Sequence, residues 1–496
     1  MNTRSFKWLV LLGALGVTQA LVKAQAQPAP ATAIEFSPCQ LEDAAHFSVL
    51  PAECGTLEVA ENPAAPAGRK IKLHIARVPA INRRKAEDPL FILAGGPGMA
   101  ASTMYAGTAA AFARIQRNRD VVLVDQRGTG QSNALECSFD DEKLLRSTTA
   151  ETEAETARCL AELSKHADVT YYTTSVAVRD LDHVRAALGY RRINLYGASY
   201  GTRVAEHYLR RFPDHARAVI LDGVVAPEQA LGPQIALDAE SALVAVLKRC
   251  ADNAACAERF GNSFATYQSL RDSLQARPVA VDFIDPTTGA KSHLDFGPLH
   301  FATVLRLSTY TSEQAATLPL ILNLAQSGNF TPLAGQFVLM LKTYGEVLAY
   351  GMHNSVVCTE DVPFYSDQNI DRAKIEKTFL GLTQLESLQS LCKGWPRGPL
   401  DPDLHARVDS TVPVLLLSGG NDPVTPPSGA EQARAGLKHS VHIVLEGQGH
   451  GQLGAPCMDR VMAQFIERGA VEGLDTSCTR SARPMPFFLS PAGPAP

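Results

Sequence analysis

Ile193-Asn194-Leu195-Tyr196-Gly197-Ala198-Ser199-Tyr200-Gly201-Thr202-Arg203 sets a serine between two glycines where a short apolar run gives way to a helical pattern. Residues 193–196 suit a buried strand, and residues 202–212 suit a helix that Pro213 stops. A serine on so sharp a turn sits in a strained backbone conformation with its hydroxyl thrust beyond the sheet edge. Only small neighbours let strand and helix approach that closely, and Gly197 and Gly201 supply them. Such a strand, elbow and helix belong to an α/β architecture with a mostly parallel central sheet. Gly-x-Ser-x-Gly also occurs by chance, so the reading depends on further parts.

Those parts follow in chain order. Residues 412–418 read as a buried strand, and the loop beyond it, 419–426, carries Asp422; residues 440–445 read as another strand, and the glycine-rich loop 446–451 carries His450. A serine hydroxyl is a poor nucleophile at neutral pH, so a histidine must take its proton and later return it, and an acid must hold the imidazole in one tautomer. Ser199, Asp422 and His450 are therefore the candidate catalytic residues. Asp222, at the end of the apolar run 218–221, is a second candidate acid, although Asp222-Gly223 is also an ordinary turn signal. The oxyanion of acyl transfer needs preorganised donors. The strand 90–93 runs into Ala94-Gly95-Gly96-Pro97-Gly98, which offers the amide of Gly96 to pair with that of Tyr200. Singly, each piece has an ordinary structural explanation; four in the required order and loop context point to a serine hydrolase site.

Three motifs taken together, Ala94-Gly95-Gly96-Pro97-Gly98, Asp125-Gln126-Arg127-Gly128-Thr129-Gly130-Gln131-Ser132 and Gly197-Ala198-Ser199-Tyr200-Gly201-Thr202, resemble the α/β-hydrolase family of proline iminopeptidases and tripeptidyl aminopeptidases. The Ser-Tyr-Gly-Thr form and the cysteine pattern resemble its secreted tripeptidyl-aminopeptidase-like branch, over most of the span from Cys39 to Cys478. The resemblance implies an α/β-hydrolase fold with an inserted, mainly helical cap, and aminopeptidase activity through an acyl-enzyme. A carboxylesterase acting on small esters is the alternative, and an inactive binding protein of the same fold a more distant one. Ala94 stands where the family usually has histidine, which removes a supporting side chain but leaves the backbone donors. The segment 125–132 reads as a scaffold turn in which Arg127 braces nearby loops.

Residues 1–26 have the layout of a secretory signal: Arg4 and Lys7, an apolar run over 8–17, then Lys23 and Ala24-Gln25-Ala26. An uncleaved anchor is the alternative, but the run is short for a bilayer span, and no stable membrane anchor is expected. The whole chain carries a net charge of −5, and these 26 residues hold three positive and no negative charges, leaving −8 beyond them. Such a balance excludes nucleic acid as an expected partner; the partner is a peptide or small acyl substrate. Export to a periplasmic or extracellular space suits the ten cysteines. None has metal-binding or redox spacing, and pairing between sequence neighbours would join Cys39 with Cys54, Cys137 with Cys159, Cys250 with Cys256, Cys358 with Cys392 and Cys457 with Cys478. Ten cysteines permit many other pairings, and free buried thiols are the alternative. No His-Glu-x-x-His or Walker spacing occurs, so neither metal nor cofactor is implied.

Core signals pause after residue 222 and resume at 412. The organisation expected is a signal at 1–26, a first core part at 34–225, a helical cap at 226–407, a second core part at 408–480 and a disordered Pro/Ala tail at 484–496. Within the cap, helices are expected at 235–249, 263–275, 299–307, 312–326 and 334–349, with a strand pair at 279–283 and 292–296. Cleavage from a free amino terminus requires a negative group at a fixed distance from the serine. Glu360 and Asp361, beside Cys358, are the candidates for holding the substrate ammonium; a solvated surface pair or a helix start is the competing reading.

Overall fold

The computed structural model describes residues 34–137, 149–345, 347–368 and 370–494. The segment read as a secretory signal, 1–26, lies outside them. Nine strands form one sheet: β1 (Ser37–Glu42), β2 (Val49–Ala60), β3 (Lys70–Val78), β4 (Leu90–Leu93), β5 (Val121–Val124), β6 (Ile193–Ala198), β7 (Ala216–Asp222), β10 (Val414–Gly419) and β11 (Ser440–Leu445), in the order β1-β2-β3-β5-β4-β6-β7-β10-β11. β8 (Val279–Ile284) and β9 (Lys291–Phe296) pair separately in antiparallel fashion. From β5 to β11 every pairing is parallel, whereas β1, β2 and β3 join as an antiparallel edge. Leu-Phe-Ile-Leu in β4 and Val-Val-Leu-Val in β5 are buried throughout, as strands covered on both faces must be.

One face of the sheet is covered by α1 (Ala101–Gln116), whose Tyr105, Phe112 and Ile115 pack on β4 and β5. The other face carries α2 (Thr174–Ala187) and α3 (Tyr200–Arg211), through Val178, Leu181, Val204 and Leu209. The insertion between β7 and β10 holds α4 (Ile235–Asp252), α5 (Ser263–Ala276), α6 (Pro298–Ser308), α7 (Leu318–Gln326), α8 (Thr331–Gly345) and α9 (Tyr350–Glu360). α10 (Met458–Arg468) returns to the first face, its Val461, Met462 and Phe465 beside α1.

The insertion has its own apolar core, drawn from α4 to α8 and the β8–β9 pair. Helix α9 does not belong to that core: its Met352, Val356 and Val357 and the nearby Trp395 join the cluster beneath the main sheet. The single helix expected over 312–326 is broken into Ser312–Ala315 and α7, because Pro319 lacks an amide donor and fits the first turn of a new helix. The tail expected to be disordered from residue 484 is instead ordered through residue 494. Phe487 is buried in the cap core under the Arg249 guanidinium, and the Phe488 amide donates to Ala316 O at 3.1 Å. Two phenylalanines and a leucine in the tail carry more apolar surface than its Pro/Ala composition suggests. Five disulfides join the sequence neighbours, and no described cysteine is free.

Candidate active site

Ser199 lies between β6 and α3 with φ 54° and ψ −122°, a conformation a non-glycine residue adopts only under constraint. A methyl group added at Gly197 would strike the carbonyl of Gly201, and one added at Gly201 would strike the carbonyl of Leu93. Both glycines are thus required by contact. The Ser199 amide donates to Asp222 O at 2.8 Å, pinning the elbow to the end of β7. The next residue, Gly223, abuts His450: a Cβ there would lie 3.1 Å from the imidazole Cε1. The serine and the histidine therefore both adjoin the carboxyl end of β7, at Asp222 and Gly223.

Asp422, in the loop after β10, accepts from the amides of Val424 at 2.9 Å and Thr425 at 2.8 Å through Oδ1. Its Oδ2 lies 2.8 Å from His450 Nδ1 and accepts the Thr425 hydroxyl at 2.9 Å. Burial opposes a charge on His450, yet Asp422, by charge and hydrogen bond, and Asp222 by charge, outweigh it and hold the imidazole pKa above its ordinary value; the Arg306 guanidinium works against them. Asp222, the second candidate acid, spends both oxygens elsewhere. It accepts the Gln452 amide at 2.9 and 3.0 Å and the Tyr196 hydroxyl at 2.7 Å, and burial pushes its pKa up to about 6.

Gly95 presses on the elbow, where an added Cβ would come 3.1 Å from Ser199 Cβ. The amides of Gly96 and Tyr200 have no acceptor among the described residues, and that of Tyr200 opens α3, where the helix dipole favours negative charge. The glycine loop is held from the insertion: Ala349 N donates to Gly98 O at 3.0 Å, and His353 Nδ1 lies 3.3 Å from Pro97 O. Asp125 fixes the start of α1, just beyond that loop, through the Ser102 amide and hydroxyl, both at 3.0 Å. Arg127 is buried and binds Asp180 with two bonds of 2.6 and 2.9 Å, so it is a brace.

Glu360 and Asp361 differ from the ammonium-binding pair expected. Both are fully buried. Asp361 accepts Arg203 Nη2 at 2.9 Å, Arg203 Nη1 at 3.2 Å and the Leu231 amide at 2.7 Å. Glu360 accepts the Thr174 amide at 2.6 Å and the Thr174 hydroxyl at 2.7 Å; burial pushes its pKa up to about 7 even though Arg203 pulls it down. The Thr174 hydroxyl also meets Tyr200 Oη at 2.6 Å, and Gln126 Nε2 donates to that Oη at 3.0 Å. The two acids thus lock the nucleophile helix to α2 and α9, and every carboxylate oxygen of the pair already has a partner within the protein.

Three further participants are not among the expected site residues. Thr425 could have been suspected from its place in the Asp422 loop, but Tyr310 and Arg306 come from the cap. Tyr310 O accepts the His450 amide at 2.7 Å, and its ring stands edge-on to the imidazole with centroids 5.2 Å apart.

An elbow serine, an Asp-backed histidine and two free amides on a mostly parallel sheet define a serine hydrolase of the α/β-hydrolase fold. Residues 88–249 match the family described as "alpha/beta hydrolase fold", and residues 377–478 match "TAP-like protein". The chain is 25% identical over 468 residues to a tripeptidyl aminopeptidase of Streptomyces coelicolor, covering 88% of this chain and 84% of that one. It is 26% identical over 512 residues to the serine protease Hip1 of Mycobacterium tuberculosis, with 95% of each chain covered. It is also 28% identical over 518 residues to carboxylesterase B of M. tuberculosis, covering 93% and 94%. The chain thus has the α/β-hydrolase fold, resembles the tripeptidyl-aminopeptidase-like enzymes over most of its length, and is a serine hydrolase of the peptidase type.

Proposed function

We propose that this protein is an exported aminopeptidase that releases short peptides or a terminal residue from the free amino end of peptide substrates. The observation that carries the peptidase reading is the 2.8 Å pairing of Asp422 with His450 beside an elbow serine, in a chain similar over 88% of its length to a tripeptidyl aminopeptidase. Ser199 attacks the scissile carbonyl while His450 takes its proton; the amides of Gly96 and Tyr200 receive the oxyanion; His450 then protonates the leaving amine, and water releases the acyl group by the reverse relay. Five disulfides, each contributing about 2–4 kcal/mol by restricting the unfolded chain, support export into an oxidising compartment.

With Glu360 and Asp361 already engaged, the ammonium anchor in this reading is Asp238. It lies in the first turn of α4, half-buried, with no hydrogen-bond donor among the described residues. Burial and then the nearby negative charge of Asp422 push its pKa up to about 7, so an incoming ammonium would restore its charge. The similarity to carboxylesterase B supports esterase activity as the second reading. Purified protein and a Ser199→Ala control should be assayed on free-amine prolyl, alanyl and tripeptidyl anilides, their amine-blocked counterparts and short esters. Turnover confined to free-amine anilides and lost in the control supports the aminopeptidase; turnover of esters alone overturns it in favour of the esterase.

A further inference from the structure

Arg306 occupies the last turn of α6, in the cap, and is half-buried. Its Nε is buried and meets no acceptor, and among the described residues its side chain makes one hydrogen bond, a long one of 3.4 Å from Nη2 to Tyr310 Oη. No carboxylate among the described residues pairs with it, whereas the buried guanidiniums of Arg127 and Arg203 each grip an aspartate. The residue lies beside the site: Tyr310, one turn further on, puts its carbonyl on the His450 amide and its ring against the imidazole. The positive charge of Arg306 is felt at His450, where it opposes protonation.

A partly buried cation without an anion is unfavourable, because desolvation is uncompensated. Here it is doubly so, since His450 must become a cation during acyl transfer. An anion arriving with the substrate would relieve both. His450 delivers its proton to the leaving group, so the leaving fragment departs on the side of the imidazole, which is the side Arg306 and Tyr310 flank. Guanidinium suits a carboxylate, with planar donors that can bind both oxygens.

We propose that Arg306 binds a carboxylate on the leaving fragment of the substrate, chiefly the terminal α-carboxylate of a short leaving peptide or amino acid. The proposal rests on the peptidase reading and adds a second pole to it: the enzyme would measure short peptides by their carboxyl end as well as their amino end. A carboxylate side chain just beyond the scissile bond would supply the same chemistry from another source.

The test uses one short peptide in three forms: a free carboxyl terminus, a carboxamide terminus, and a carboxamide terminus with glutamate beyond the scissile bond. Each is measured as a substrate and as a competitive inhibitor of hydrolysis of a short nitrophenyl ester, with wild-type protein and Arg306→Gln. In wild type the acid form should exceed the amide roughly 10- to 100-fold in kcat/KM or in inhibitory strength, in line with a charge-assisted pair. Arg306→Gln should bring that ratio close to one. The glutamate form, if favoured alone, assigns the pocket to a side chain and overturns the α-carboxylate assignment. Equal handling of acid and amide by wild type overturns the proposal even if the variant does not fold, as does a ratio that survives in Arg306→Gln. If esters are hydrolysed and no peptide is, the peptidase reading fails by itself, and the inhibition ratios still decide the role of Arg306.

Discussion

Arg203 reaches Asp361 with two bonds of 2.9 and 3.2 Å, and neither side chain is more than 2% exposed. One residue lies in the first turn of the nucleophile helix and the other at the end of α9, 158 positions away, so the pair fastens the insertion to the elbow. Breaking a buried pair from one side strands the other charge and costs about 3–5 kcal/mol. Asp361→Asn should therefore lower unfolding free energy by about that amount, read from denaturant titration. The ratio of free-amine to amine-blocked turnover should stay constant in the surviving folded fraction. A selective rise in KM for free-amine substrates would return Asp361 to the binding site.

The pH profile follows from the charges around His450. The imidazole acts as a base only when neutral, and its pKa is held above 6.5. Activity should thus be full on the alkaline side and fall as pH drops through a midpoint above 6.5. Asp222 contributes to that elevation by its charge alone, so Asp222→Asn should move the acid limb of kcat/KM to lower pH. Asp422→Asn should remove the limb together with most of the rate, about 10⁴-fold in kcat by analogy with other triads.

Thr425 Oγ1 stands 2.9 Å from Asp422 Oδ2 and 3.1 Å from His450 Nδ1. Its hydroxyl helps aim the carboxylate that aims the imidazole. Thr425→Val keeps the shape and removes one hydrogen bond to a charged group, worth about 1.5–3 kcal/mol. The expected result is a fall in kcat of roughly 10- to 100-fold with KM little changed, measured on whichever substrate wild type prefers. A change confined to KM would contradict a positioning role.

The parts legible in the sequence are those whose physics is contiguous. The elbow, the glycine loop and the loops bearing Asp422 and His450 each carry their own strand, turn residues and functional group within about ten residues. The β8–β9 pair, with its Asp285 turn, was readable for the same reason. What escaped depends on distant partners. Glu360 and Asp361 looked available because nothing nearby reveals that Arg203 and Thr174 consume them. Tyr310 and Arg306 reach the site only through cap packing, and Phe487 is buried because Arg249 and the cap core receive it. The antiparallel edge β1 to β3 is only partly legible: Lys70-Ile71-Lys72-Leu73-His74-Ile75 in β3 alternates as a strand should, whereas β1 and much of β2 lie at a partly exposed sheet margin.

The amino-end anchor separates the two activities most directly. Asp238 has no hydrogen-bond donor among the described residues, and burial together with the charge of Asp422 raises its pKa to about 7. A carboxyl so placed is poised to gain from a cation, because the bound ammonium supplies the compensation that the protein withholds. Asp238→Asn preserves size and removes the charge. If the residue holds the substrate amine, the variant should raise KM for free-amine anilides roughly 10- to 100-fold and leave amine-blocked esters near wild-type values. The selectivity should also be pH-dependent in wild type: Asp238 is half-ionised at about pH 7, so KM for free-amine substrates should fall as pH rises through that value until the substrate amine itself loses its proton. In Asp238→Asn that trend should vanish. Equal effects of the substitution on free and blocked substrates would show that Asp238 is only part of the cap's scaffold, and would leave the aminopeptidase reading without an anchor.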